Sequence, residues 1–162
     1  MQMEYAITGI IVAVLVVGII WACLARKKLL DNGEIIKRKM NFMKMAEVFT
    51  LITPDPHTVV EKIKSFPVIG KTVAAQWDEA KQYFEFNYYK SWTASMKKIK
   101  EDDGKSVYYF SFNHFKSNNG TPEGSLDANK LLTSLEKMFL EFDPNTQVHN
   151  EAVDFKTKHH FF

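Results

Sequence analysis

One cysteine in 162 residues, Cys23, excludes an intramolecular disulfide framework and a cysteine-rich metal site. Charge is missing from a longer stretch. From Ala6 to Ala25 the chain reads AITGIIVAVLVVGIIWACLA, twenty residues without Asp, Glu, Lys or Arg. Twenty helical residues rising about 1.5 Å each cover about 30 Å, the depth of a bilayer core. The preceding MQMEY lacks the basic residues of an export signal, and the apolar run is too long for one. The expectation is an uncleaved transmembrane helix over residues 6–25, after a short extracytoplasmic segment, residues 1–5.

Cys23 lies at the end of this run, in IIWACLARKK. Bacterial lipid attachment wants small residues just before the cysteine, and Trp21 breaks that pattern while suiting an interfacial anchor. Palmitoylation of Cys23 stays open, because a cysteine near a span is a plausible acceptor. The small-residue pairs Gly9/Ala13 and Gly18/Ala22 fall on opposite helix faces, so they form no single packing stripe.

An excess of positive charge is also absent outside one stretch. Residues 1–25 carry only Glu4, and residues 45–162 hold fourteen cations against sixteen anions. Residues 26–44 hold Arg26, Lys27, Lys28, Lys37, Arg38, Lys39 and Lys44 against two anions. Lys and Arg beside a span stay on the cytoplasmic side, so residues 26–162 are expected inside and the N-terminus outside. The basic linker, residues 26–44, also contains Ile35, Ile36, Met40, Phe42 and Met43. Arg26, Lys27, Lys28, Lys37, Arg38 and Lys39 are candidate contacts to anionic lipid headgroups, with a solvated linker as the alternative. Asp31-Asn32-Gly33 is a helix stop.

The remainder, residues 45–162, reads as a cytoplasmic α+β domain. MKMAEVFTLI suggests a strand. Asp55-Pro56 opens a helix with Val59, Val60, Ile63 and Phe66 at helical spacing, closed by Pro67 and Gly70. Thr72 to Trp77 suggests a short strand. In YFEFNYY, Phe84, Phe86 and Tyr88 share one side; Trp92, Ala94 and Met96 continue it, and Tyr108, Phe110 and Phe112 supply another strand. EDDG, Glu101 to Gly104, is a hairpin turn, and SNNGTPEGS is a loop. Ser125 is expected to cap a second helix carrying Leu131, Leu132, Leu135, Met138, Phe139 and Phe142. Asp143-Pro144-Asn145 ends it, and a last strand runs from Gln147 to about Lys156. Two apolar helix stripes need one sheet face, so the expected fold has two layers: an antiparallel-dominated sheet with two helices packed on one face. Phe84, Phe86, Trp92, Phe110 and Phe112 are either its core or the lining of a pocket for an apolar ligand.

Catalytic signatures are missing too. GKS at Gly104 to Ser106 lacks the glycine of a phosphate loop, since position 99 is Ile. His57, His114, His149, His159 and His160 show no paired spacing on a helix, so no metal or other cofactor is expected. No nucleophile elbow is present, and a cysteine within the membrane offers no Cys–His dyad. The element order is shared with the RNA-recognition module, but KSVYYFSF lacks that module's glycine and spacing, and the domain is slightly acidic. Nucleic acid is therefore not an expected partner. Asn119-Gly120-Thr121 matches a glycosylation acceptor that a cytoplasmic location would leave unused. The expectation is a non-enzymatic, membrane-tethered binding or scaffolding module, whose partners are the bilayer and an unidentified protein. The alternative is a tethered domain that holds a small apolar ligand.

Overall fold

The N-terminal helix is longer than its apolar run. In the computed structural model, which describes residues 2–53, 55–102 and 104–153, the chain divides into two units, residues 1–37 and 38–162. Helix α1 spans Gln2–Asp31. It continues past Ala25 because Arg, Lys and Leu are good helix formers and nothing there interrupts the ladder. It stops where Gly33 adopts φ 66°. The Gly33 amide bonds to the Leu30 carbonyl (3.0 Å) and the Glu34 amide to the Leu29 carbonyl (2.9 Å). These two bonds are a Schellman cap, and they consume carbonyls that would otherwise lack donors. The apolar side chains from Ile7 to Leu24 are exposed on every face of the helix. Its segment Ile7–Asp31, with a mean hydropathy of 2.8, is long and apolar enough to cross a bilayer.

The second unit is α+β, as its patterning predicts. A 3-10 turn at Phe42–Lys44 leads into β1, Met45–Leu51. Helix α2 is Pro56–Lys64; the Asp55 carboxylate accepts a bond from the His57 amide at 3.1 Å, and Pro56 occupies the first turn. Four strands follow: β2, Ala74–Asp78; β3, Tyr83–Tyr88; β4, Trp92–Asp102; and β5, Lys105–Phe115. The expected loop contains a small hairpin, β6 at Ser117–Asn118 and β7 at Thr121–Pro122. Its turn residues Asn119 and Gly120 have φ 49° and 78°, the left-handed pair that a tight Asn-Gly hairpin uses. Helix α3 is Ser125–Phe142, and β8 is Gln147–Ala152. The expected continuation of β8 toward Lys156 lies outside the described residues.

The sheet order is β2-β3-β4-β5-β1-β8, with every neighbouring pair antiparallel. Its inner face is aromatic across most of its width. Phe49, Phe84, Phe86, Trp92, Phe110 and Phe112 are each at most 1% exposed. Neighbouring rings pack at centroid distances of 5.8 Å for Phe84–Phe86, 5.2 Å for Phe110–Phe112 and 5.5 Å for Trp92–Phe112. Val59, Val60 and Ile63 of α2 and the Leu131–Phe139 stripe of α3 cover this face in one continuous core. A β-bulge between Thr93 and Ala94 shifts the phase of β5 by one residue. Trp92 therefore faces Phe115 rather than His114, and Phe115 joins the edge of the core.

The start of α3 departs from the sequence expectation. Gly124, not Ser125, is the N-cap, with φ 66° and no side-chain cap. The Trp92 indole N–H donates to the Gly124 carbonyl at 3.1 Å, and the Tyr88 ring stacks on Trp92 at 5.4 Å. A Cβ at Gly124 would lie 2.5 Å from a Tyr88 ring carbon. At the other end, the Asp143 carboxylate accepts bonds from the amides of Ile52 (3.0 Å) and Asn145 (2.8 Å), which hold its pKa below the usual carboxylate range.

Gly124→Ala and Gly120→Ala separate backbone strain from steric conflict. Both force alanine into the left-handed region at a cost of about 1–2 kcal/mol. Only position 124 adds a clash, since nothing lies within 4 Å of a Cβ at Gly120. Denaturant unfolding should therefore show Gly124→Ala clearly less stable than Gly120→Ala; equal losses would contradict the packing described for Tyr88 and Trp92.

Candidate functional site

A cation can reach solvent or a lipid headgroup only if its own domain leaves it unpaired. Arg26, Lys27 and Lys28 lie on the last turns of α1 and are exposed. Lys37 and Lys39 are exposed as well. Arg38 differs from these neighbours: its guanidinium is paired inside the second unit. Its side chain is 8% exposed and enters the second unit between β1 and α3.

Three elements build the site around Arg38. Glu47 shares the inward phase of Phe49 and Leu51 on β1, so it points into the helix-covered side of the sheet. Asn129, Thr133 and Glu136 follow one another at helical spacing along α3. The Arg38 guanidinium donates to Glu47 Oε1 at 2.5 Å, to Glu136 Oε1 at 2.8 Å and to Asn129 Oδ1 at 3.0 Å. Thr133 donates its hydroxyl to the same Asn129 oxygen at 3.1 Å. The guanidinium carbon also lies 5.8 Å from the Phe42 ring centroid, within cation–π range. Planar geometry lets one arginine bridge sheet and helix in this way, which lysine could not reproduce.

The charges do not balance: one guanidinium meets two carboxyls. Burial pushes Glu47 up to about 8, the Glu136 charge adds to the shift, and Arg38 opposes it. Glu47 Oε2 is buried and receives no hydrogen bond from the described residues. A neutral carboxyl tolerates that position better than an ionised one. At neutral pH the buried Glu47 carboxyl is therefore held toward its protonated form. With Glu47 and Glu136 side chains 5% and 16% exposed, the cluster is closed to a substrate and acts as a structural clamp on the chain's entry into the domain.

Phe84, Phe86, Trp92, Phe110 and Phe112 are brought together as core. Between α2 and the sheet, Pro56, Val59, Trp77, Phe84, Met96 and Tyr108 leave a space of about 10 Å³, scarcely one water. Gly104 sits in the β4–β5 hairpin with φ 74°, and Ser106 bonds to the Thr53 hydroxyl at 2.8 Å. His149 pairs with Glu151 at 3.1 Å on exposed β8, while His159 and His160 lie outside the described residues. Nothing in the sequence separates Arg38 from its basic neighbours. The signal that could have found its partner is Glu47, an acid in the apolar phase of a strand.

The raised Glu47 pKa makes stability depend on pH. The folded state binds this proton more tightly than the unfolded state, whose ordinary value is 4.5. Its contribution is complete below that value and is lost as pH rises toward about 8. Glu47→Gln supplies a permanently neutral group that still accepts from Arg38. Denaturant midpoints should show wild type losing ground to Glu47→Gln as pH rises across this window. Parallel pH profiles for the two proteins would remove Glu47 as the titrating group.

Compared with known proteins, the chain matches no family model, no curated protein and no solved structure.

Proposed function

We propose that this chain is a single-pass membrane-anchored protein whose α+β domain binds or scaffolds a protein partner on the cytoplasmic side, without catalysing a reaction. The observation that carries the reading is α1: its apolar side chains from Ile7 to Leu24 are exposed and cover every helix face. A helix that is apolar all round needs an apolar surrounding. The seven cations that follow the run support a cytoplasmic domain. Core packing of the aromatic sheet face favours a binding surface on the domain's exterior over an apolar ligand in its interior.

Topology is tested by fusion after Phe162. A reporter active only in the cytoplasm should work, and one active only outside should be silent. The reverse pair of results would overturn the orientation.

In this reading, Arg26, Lys27, Lys28, Lys37 and Lys39 face anionic headgroups, while Arg38 keeps its internal role. A soluble form beginning at Asn32 retains Lys37 and Lys39. It should co-sediment weakly with anionic vesicles and be released by salt, which shortens the screening length from about 10 Å at 0.1 M to about 3 Å at 1 M. Equal binding to neutral vesicles would remove the electrostatic explanation.

A further inference from the structure

Strand β8 ends the sheet, and all six of its residues are exposed. Its register with β1 determines what the free edge offers. The Val153 amide bonds to the Lys44 carbonyl at 3.3 Å, so residues in phase with Val153 point their backbone groups toward β1. Backbone direction alternates along a strand. Gln147, His149 and Glu151 are therefore committed to β1, while the N–H and C=O groups of Val148, Asn150 and Ala152 face outward. The same register puts the side chains of Val148, Asn150 and Ala152 on the helix-covered side of the sheet, and those of Gln147, His149 and Glu151 on the other.

We infer that this edge pairs antiparallel with β8 of a second copy of the chain, with Asn150 opposite Asn150 on the two-fold axis. The outward backbone groups belong to even-numbered residues only, so even must pair with even. Three such registers keep the strands overlapped. Sliding by two residues one way sets His149 against His149; sliding the other way sets Glu151 against Glu151. The register centred on Asn150 sets His149 opposite Glu151 of the second copy, and Glu151 opposite its His149. It also pairs Val148 with Ala152 on the other face. Both side-chain faces are then complementary in the one register: each His149 gains a carboxylate acceptor, and Glu151 is not set against Glu151. Three residue pairs, each exchanging two bonds, give about six new backbone hydrogen bonds. The two six-stranded sheets become continuous. The edge carries no Lys or Pro, the residues that commonly block such pairing. The inference rests on β8 alone and holds whether or not α1 enters a bilayer.

The test uses the full chain purified in detergent, with protein mass measured by light scattering across a concentration series. Wild type should dimerise. His149→Glu places like charges opposite each other twice and should weaken the dimer about tenfold or more. Adding Glu151→Lys to that variant sets an introduced carboxylate opposite an introduced ammonium twice and should restore the dimer. Unchanged melting temperatures would show that both variants fold. In a Cys23→Ser background, Asn150→Cys should form an intermolecular disulfide on oxidation, since hydrogen-bonded antiparallel pairs hold Cα atoms about 5.5 Å apart, within disulfide reach. A dimer unaffected by His149→Glu, or an Asn150→Cys chain that does not cross-link, would overturn the proposal. A monomeric wild type would do the same and leave the edge to a strand of a different protein.

Discussion

The aromatic inner face of the sheet is the constraint from which the rest of the domain follows. Strands β3, β4 and β5 bring Phe84, Phe86, Trp92, Phe110 and Phe112 to one side, and no sheet of this kind is stable with that side in water. Two helices must cover it, and their apolar stripes match its width only if both lie on the same face. Caps and turns then serve this placement. Asp55 starts α2, Gly124 starts α3 where Trp92 can reach its carbonyl, and Asp143 ends α3 against Ile52. The bulge at Thr93 adjusts β5 so that Phe115 reaches the same core.

Much of this was legible in the sequence, because periodicity reports directly on burial. The period-two aromatics gave the inner face, and the stripe from Leu131 to Phe139 gave α3. Asp55-Pro56 gave the start of α2 through local chemistry alone. Other features were hidden because they depend on contacts distant along the chain. Ser125 is a better cap by propensity than Gly124, yet Tyr88 and Trp92 leave room only for a residue without Cβ. Helix α1 runs beyond its apolar segment because helix propensity, not hydropathy, decides where a helix stops. Arg38 looked like its basic neighbours, and only its position between Glu47 and Glu136 distinguishes it.

The buried charge cluster shows how a stretch read as one functional unit divides in three dimensions. Removing a guanidinium from water is costly, and the cost is offset only by geometry as complete as that around Arg38. Its donors meet Glu47, Glu136 and Asn129, which belong to β1 and α3. Breaking the cluster by removing one partner would strand the others, so the chain just before β1 is bound to the domain by charge as well as by Met43 in the core. The raised affinity of Glu47 for its proton comes first from burial, with the Glu136 charge adding to it against the opposing pull of Arg38, and it ties the clamp to pH without exposing it to any reactant.

Strand β8 contrasts with everything else in the sheet. The helix layer reaches β1, where Phe49 meets Phe139 at 4.8 Å, and stops there. Val148, Asn150 and Ala152 have the inward phase but no cover, so β8 adds backbone pairing and almost no buried apolar area. A strand held mainly by one ladder belongs to the less stable end of a domain. Its composition is accordingly that of a surface rather than a core: one valine, one alanine and four polar residues. Where the other strands are constrained by what they bury, β8 is constrained by what its outer edge can meet. About Asn150 the pattern is complementary: His149 answers Glu151 on one face, and Val148 answers Ala152 on the other. A sequence with that complementarity about Asn150 suits a two-fold partner better than an arbitrary one, because each favourable contact in a closed symmetric pair occurs twice.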